Sequence, residues 1–403
     1  MKKKLFAVLM AATMVASLAA CGSTETETAT TEVAETETAT EQTAETTATE
    51  EVAATTESSD LKIAMITDSG DITDMSFNQT TYEASKAFAD ANGADFQYYK
   101  PTEDSNEARI ASFNNAVADG YNVIVVPGYL FADMIANVAE ANPEVTIIAL
   151  DCSQGDFEGA GMTTLPANVC SFTYQEELAG YMAGYAVVKE GYKKLGFLGG
   201  MAVPAVIRYG YGFVQGADAA ATELGNSSEV EVNYVYGGQF YGDEAITATM
   251  DTWYSNGTEI VFACGGGIFT SACEAAVKVG GKVVGVDVDQ SGTIEAQYNV
   301  EGLCVTSAMK GLAATVNTTL TDLFAGNWDA HSGKIENLGL VSADDPSLNY
   351  VQLPTESWTM KTFTIDDYKA LVASMYDGYV TVDSNIEAMP TTAIKVTTFD
   401  NIH

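Results

Sequence analysis

The feature that most constrains this chain is an alternation that begins at Leu61 and is played twice. Short Val/Ile-rich runs give way to Ala-rich segments of helical period, over and over. The first round has apolar runs at Leu61–Ile66, Asp95–Tyr99, Val123–Val126 and Val145–Leu150. Helical patterns at Thr80–Ala91, Glu107–Asp119 and Phe131–Ala141 lie between them. The second round has strand-like runs at Asn168–Tyr174, Lys194–Gly199, Val230–Tyr236, Ile260–Cys264 and Lys282–Val286. Its helices fall at Gln175–Glu190, Val206–Leu224, Glu244–Asn256 and Ile268–Val279. Runs of this length separated by helices build parallel sheets, because a parallel connection needs a crossover helix. Two rounds over more than 300 residues exceed one comfortable core, so two α/β lobes are expected. The first lobe is read as about 61–167 plus a later return segment, and the second as about 168–286 plus a C-terminal segment. Gly302–Ser307 and Lys310–Phe324 should cross back between lobes, Ile365–Tyr376 should be a helix, and Thr391–Phe399 a last strand or a tail.

What precedes Leu61 has a different composition. Lys2, Lys3 and Lys4 form a positive n-region, and Leu5–Leu18 is apolar but short for a bilayer span. Leu18-Ala19-Ala20-Cys21 then matches a lipobox, so residues 1–20 read as a lipoprotein signal peptide and Cys21 as the lipidated residue. From Gly22 to Asp60 the chain is Thr/Glu-rich, with no aromatic and no basic residue. Such a segment cannot bury enough apolar surface to order itself, and its like charges extend it. Residues 21–60 are therefore expected to be a lipid-bearing tether on the extracytoplasmic face of the cell membrane. No other apolar run is long enough to span a bilayer.

The formal net charge is −37. A surface this acidic repels nucleic acid and anionic head groups, and an anionic ligand would need a local basic pocket. Five cysteines remain after Cys21, none in a CxxC pair, and they read as small buried residues rather than a disulfide framework. With His331 and His403 the only histidines, neither a zinc site nor another metal site is expected, and no cofactor is implied.

In open α/β sheets ligands collect beyond the carboxyl ends of the strands. Here those ends carry Asp68, Gly128, Asp151, Gly200, Gly265 and Asp287. The loop Ile66–Gln79 adds Phe77, a flat apolar face, and Asn78, which both donates and accepts. Asp68, Asp151 and Asp287 can each accept two hydrogen bonds from vicinal hydroxyls or ring N–H groups, or can cap the helices that follow. Gly265-Gly266-Gly267 lacks the pattern of a phosphate loop. It either brings backbone close to a ligand or is a permissive turn. Phe262 and Cys264 precede it on a strand bound for the same crevice. Lys310, in a stretch of small residues, can point inward to a carboxylate or a ligand hydroxyl. There is no GxSxG elbow and no Cys–His pairing to suggest nucleophilic catalysis.

Four stretches taken in order resemble one family, the basic membrane protein family of bacterial lipoproteins, which includes the purine nucleoside receptors of ABC transporters. They are DSGDITDMSFNQ (68–79), ELAGYMAG (177–184), GFLGGMAVPAVIRYGYGFVQG (196–216) and GGG…VVGVDVDQ…VTSAMK (265–310). The resemblance covers roughly Lys62–Asn317. It implies a type I periplasmic-binding-protein fold, two Rossmann-like lobes with a crossed hinge, and a nucleoside between them. By motif, Asp68 and Asn78 would contact the ligand, Phe77 would stack on the base, and Asp151 would read a base-edge N–H. Asp287 and Lys310 would bind ribose hydroxyls, near the backbone of Gly265 or Gly266. Phe262, or else Phe240 or Phe172, would be the second stacking face. The chain departs from the family pattern where Tyr209 follows Arg208 in place of Phe, and in GGGIFT (265–270) and GGQFYGD (237–243). The expected protein is a non-catalytic receptor that delivers a nucleoside to an ABC permease. The rivals are a binding protein for a sugar or another small polar ligand, and a nucleoside-processing enzyme.

Overall fold

The computed structural model describes residues 60–403. The expected signal peptide at 1–20, the expected lipidation site Cys21 and all of the expected tether except Asp60 lie outside the described residues. The apolar runs become the strands of two sheets. The first five strands are β1 (Ile63–Ile66), β2 (Phe96–Tyr99), β3 (Val123–Pro127), β4 (Thr146–Leu150) and β5 (Val169–Tyr174). The helices between them are α1 (Phe77–Asn92), α2 (Asn106–Ala118), α3 (Phe131–Val138) and the short α4 (Gln154–Gly159). After α5 (Glu176–Glu190) come β6 (Lys194–Gly199), α6 (Pro204–Leu224), β7 (Glu231–Tyr236), α7 (Glu244–Ser255), β8 (Ile260–Cys264), α8 (Phe269–Val279), β9 (Lys282–Asp287), α9 (Ser291–Tyr298) and β10 (Cys304–Lys310). The remainder is α10 (Leu312–Phe324), β11 (Ile335–Leu338), β12 (Val351–Gln352), α11 (Ile365–Tyr376) and β13 (Lys395–Thr398).

The first sheet has the order β11-β5-β4-β3-β1-β2, and the second β12-β10-β9-β8-β6-β7-β13. Every pairing is parallel except β10 with β12. The central strands are buried at every position, as sheets covered on both faces require. This is the doubly wound two-lobed α/β architecture expected from the alternation.

Two boundaries differ from the sequence reading. β5, expected to open the second lobe at 168, belongs to the first sheet, where it lies between β4 and β11. Its all-apolar face is needed there, since β4 would otherwise be an exposed edge. The second lobe thus starts with α5, after residue 174. The return crossing also comes later than Gly302. β10 stays beside β9 in the second sheet, and the crossing is made by α10, which packs on α1, and by β11, which pairs with β5. The chain passes between sheets three times: at α5, at α10, and between β11 and β12.

The small residues of α5 have a specific use, and it is against a helix rather than the sheet. A Cβ on Gly180 or Gly184 would stand 2.1 or 2.0 Å from the carbonyl oxygen of Tyr209 or Phe213 on α6. Gly212 and Gly216 of α6 face the Glu177 and Tyr181 carbonyls of α5 in the same way. The two backbones touch, which fixes where α5 begins and where Tyr209 sits.

Candidate functional site

The carboxyl ends of both sets of strands face one cleft. It holds about 860 Å³ of space, part of it open to solvent. Asp68, Phe77, Asn78, Asp151, Gly265, Gly266, Asp287 and Lys310 all line it. Phe262 does not.

Each side is built locally. Asp68 leaves β1, and its Oδ1 accepts from the Gly70 N–H at 2.7 Å and from Asn78 Nδ2 at 2.9 Å. Asn78 Nδ2 also donates to Asp74 Oδ2 at 3.0 Å. The start of α1 is capped by Asp74, whose carboxylate takes the N–H groups of Ser76, Asn78 and Gln79. That frees Ser76, whose hydroxyl reaches across the cleft and donates to Asp287 Oδ2 at 2.5 Å. Gln290 Nε2 donates to the Met75 carbonyl at 3.0 Å, a second contact between lobes.

Asp151 and Asp287 occupy matching places, the tips of β4 and β9. Both have left-handed backbone, φ 60° and 65°. A non-glycine residue there costs of order 1–2 kcal/mol, a cost found at sites where a side chain must be aimed. Neither caps a helix; Ser153 and Asp156 cap α4. Lys310, at the end of β10, is 6% exposed. Its Nζ lies 2.6 Å from Asp151 Oδ2, 3.4 Å from Glu176 Oε1 and 4.0 Å from Asp287 Oδ1. The same ammonium sits 4.9, 5.4 and 5.6 Å from the ring centres of Phe77, Tyr174 and Tyr209. Arg208 Nε donates to Glu176 Oε2 at 2.6 Å.

Burial dominates the electrostatics. It pushes Asp68 up to about 6, against the hydrogen bonds from Gly70 and Asn78. It pushes Asp151 up to about 6 as well, with Lys310 pulling the other way. Asp287 is raised by burial, and Lys310 and Ser76 oppose the rise. Burial would strip Lys310 of its proton, but Asp151, Glu176 and Asp287 together outweigh it and hold the ammonium charged. Both cations lining the cleft, Arg208 and Lys310, are therefore engaged by carboxylates. The cleft offers acceptors and aromatic faces but no free positive charge among its described lining residues, so it disfavours anions.

Three expectations are refined. Phe262 is fully buried, stacked edge-on against Phe197 and Tyr209 beneath the cleft floor. It lies two residues short of the tip of β8, so it packs under α6 while Cys264 and Gly265 reach the opening. Phe172 is also buried core, beside His331. Of the three rings weighed for the second face, Phe240 alone lines the cleft. At Gly265, φ is 145°, and an added Cβ would lie 2.9 Å from the Phe240 ring and 3.1 Å from the Gly200 backbone. The glycine run thus admits the Phe240 loop. Glu176 and Arg208 escaped the sequence reading as site residues, and so did the places of Asp74, Ser76 and Tyr209 in the cleft. The usable signal was Arg208, one of only two arginines in the chain and placed among apolar and small residues, together with the doubled acid Glu176-Glu177 at the head of a helical pattern.

Two α/β lobes with a polar and aromatic cleft between their strand tips are the architecture of the type I periplasmic-binding-protein fold. Solved structures share the fold. The solute-binding protein of an ABC transporter system from Aeropyrum pernix K1 superposes with TM-score 0.60 at 20% identity, covering 80% of this chain and 87% of that one. One from Conexibacter woesei gives 0.61 at 21%, covering 80% and 99%. Residues 61–344 match the family Bmp, described as ABC transporter substrate-binding protein PnrA-like, and the chain belongs to that family. Among curated relatives, the "ABC transporter nucleoside-binding protein BmpA" of Lactococcus lactis is 27% identical over 58% of this chain. This chain spans 65% of the length of that relative. "Basic membrane protein A1" of Borrelia garinii is 27% identical over 70% of this chain and 78% of its own length.

Proposed function

We propose that this protein is the nucleoside receptor of an ABC importer, with a purine nucleoside held in the cleft between its two sheets. The observation that carries the reading is the convergence of Asp68, Asp151 and Asp287 from three strand tips with the rings of Phe77 and Phe240 on one cleft. Rings that face a cleft favour a flat heterocycle, each stack adding about 0.5–1.5 kcal/mol beyond burial. Carboxylates held in fixed directions favour ring N–H groups and ribose hydroxyls, and an unpaired buried acceptor costs roughly 1–3 kcal/mol, which rejects deoxy analogues. Phe77 stacks on the base with Phe240 opposite. Asp68 and Asn78 hold the ligand from the first lobe, Asp151 reads a base-edge N–H, and Asp287 takes ribose hydroxyls. Lys310 keeps Asp151 and Asp287 ionised and aimed, with the backbone at Gly265 and Gly266 close by.

The protein binds and releases its ligand without chemistry on it. Residues 1–20 are a signal peptide, Cys21 carries the lipid, and 21–60 tether the domain to the extracytoplasmic face, where the closed form meets the permease. Mass spectrometry of small molecules released from the purified protein tests the reading: a purine nucleoside supports it, and a sugar overturns it. Incubation with inosine followed by chromatography tests the absence of catalysis, since release of free hypoxanthine would contradict it.

A further inference from the structure

The cleft is lined by a residue whose buried hydroxyl has no partner among the described residues. That residue is Tyr209, which is 2% exposed. Beside it in the network, Asp151 gives Oδ2 to Lys310, while Asp151 Oδ1 is buried and equally without a partner among the described residues. Unpaired buried polar groups are rare in folded proteins and ask for an explanation. Here one is a donor and the other an acceptor, and they share the pocket.

The phenol is held rigidly. Its ring meets Phe262 edge-on, with centres 6.0 Å apart and planes at 87°. Its carbonyl is pinned against Gly180 by the close contact of α5 with α6. The Lys310 ammonium lies 5.6 Å from the ring centre. Burial and the surrounding carboxylates, Asp287 and Glu176 first, raise its ionisation far above the usual range, so the oxygen keeps its proton and is a donor. A donor fixed in place on a dry wall gives discrimination at small entropic cost.

We infer that Tyr209 is a specificity-determining residue: its hydroxyl and Asp151 Oδ1 together read one adjacent acceptor–donor pair on the ligand. This rests on the nucleoside reading and deepens it. A neutral nucleoside offers such a pair in two places, at the six-membered edge of the base and along the ribose diol. A ligand with an apolar edge at that point would leave both protein groups orphaned and be rejected.

The test is calorimetric titration of the parent and Tyr209→Phe with inosine, adenosine and guanosine. The titrations continue with the 2′- and 3′-deoxy forms of the tightest binder, with purine riboside, which lacks the six-position group, and with 1-deazaadenosine, which lacks N1. Thermal denaturation of both ligand-free proteins runs alongside. The substitution removes an unpaired group, so the ligand-free midpoint should hold or rise, while affinity for the tightest binder falls about tenfold. That loss should vanish against the one analogue lacking the acceptor Tyr209 reads: purine riboside if it is the six-position oxygen of inosine or guanosine, 1-deazaadenosine if it is N1 of adenosine, a deoxy form if it is the diol. A parent that binds no nucleoside overturns the reading underneath. A parent that binds, with Tyr209→Phe unchanged or weakened equally against every analogue, overturns the inference alone.

Discussion

Lys310→Met removes one charge and keeps most of the apolar stem. In the parent, the ammonium at 2.6, 3.4 and 4.0 Å from three carboxylates is what allows them to stay ionised out of water. Stripping one partner from a buried ion network costs about 3–5 kcal/mol, because charge is left uncompensated. Arg208 still holds Glu176, which puts the expected loss toward the lower figure. Domains of this kind are stable by only about 5–15 kcal/mol, so the effect is large. Its pH dependence carries the sign of the cause. Asp151 already titrates at about 6 against an ordinary 3.8, and without Lys310 it must rise further. The folded variant then binds protons that the unfolded chain has released, so its stability falls as pH rises above about 4. Urea unfolding followed by tryptophan fluorescence should show the full loss at pH 8 and a smaller one at pH 5. A loss below about 1 kcal/mol at pH 8, or the same loss at both values, would refute the picture of Lys310 as the buried counter-ion of the cleft.

Three further outcomes are expected. Phe77→Ala should weaken nucleoside binding by up to about tenfold with little change in melting midpoint, whereas Phe262→Ala should cost about 3–5 kcal/mol of stability, because one ring faces the cleft and the other the core; thermal shift with and without ligand separates them. Asp287→Ala should erase the preference for ribo- over 2′-deoxyribonucleosides in competition titrations. Affinity should fall as pH drops from 7 to 5, since Asp68 and Asp151 take up protons near 6 and lose acceptor strength; a flat profile would argue against carboxylate contacts to the ligand.

Strand tips were legible because an apolar run and the polar residue that ends it are adjacent in sequence. Asp68, Asp151, Asp287 and Gly265 were therefore found from local pattern alone. Depth along a strand was not legible: Phe262 and Cys264 share a face of β8, and only packing decides that one is floor and the other mouth. Nor was sheet membership of β5, since a strand at a lobe boundary carries the same apolar signal whichever sheet it completes. Glu176 and Arg208 lie 32 residues apart, and their bond depends on the glycine contacts that bring α5 onto α6. Asp74 and Ser76 are equally plausible caps from sequence; the Asp74 carboxylate takes the N–H groups, which leaves the Ser76 hydroxyl for the opposite lobe.

Isothermal titration of the purified protein, stripped of bound small molecules, with purine nucleosides and with ribose tests the central claim most directly. Saturable one-to-one heat with a purine nucleoside and none with ribose is the predicted result. Heat with ribose and none with any nucleoside would contradict it.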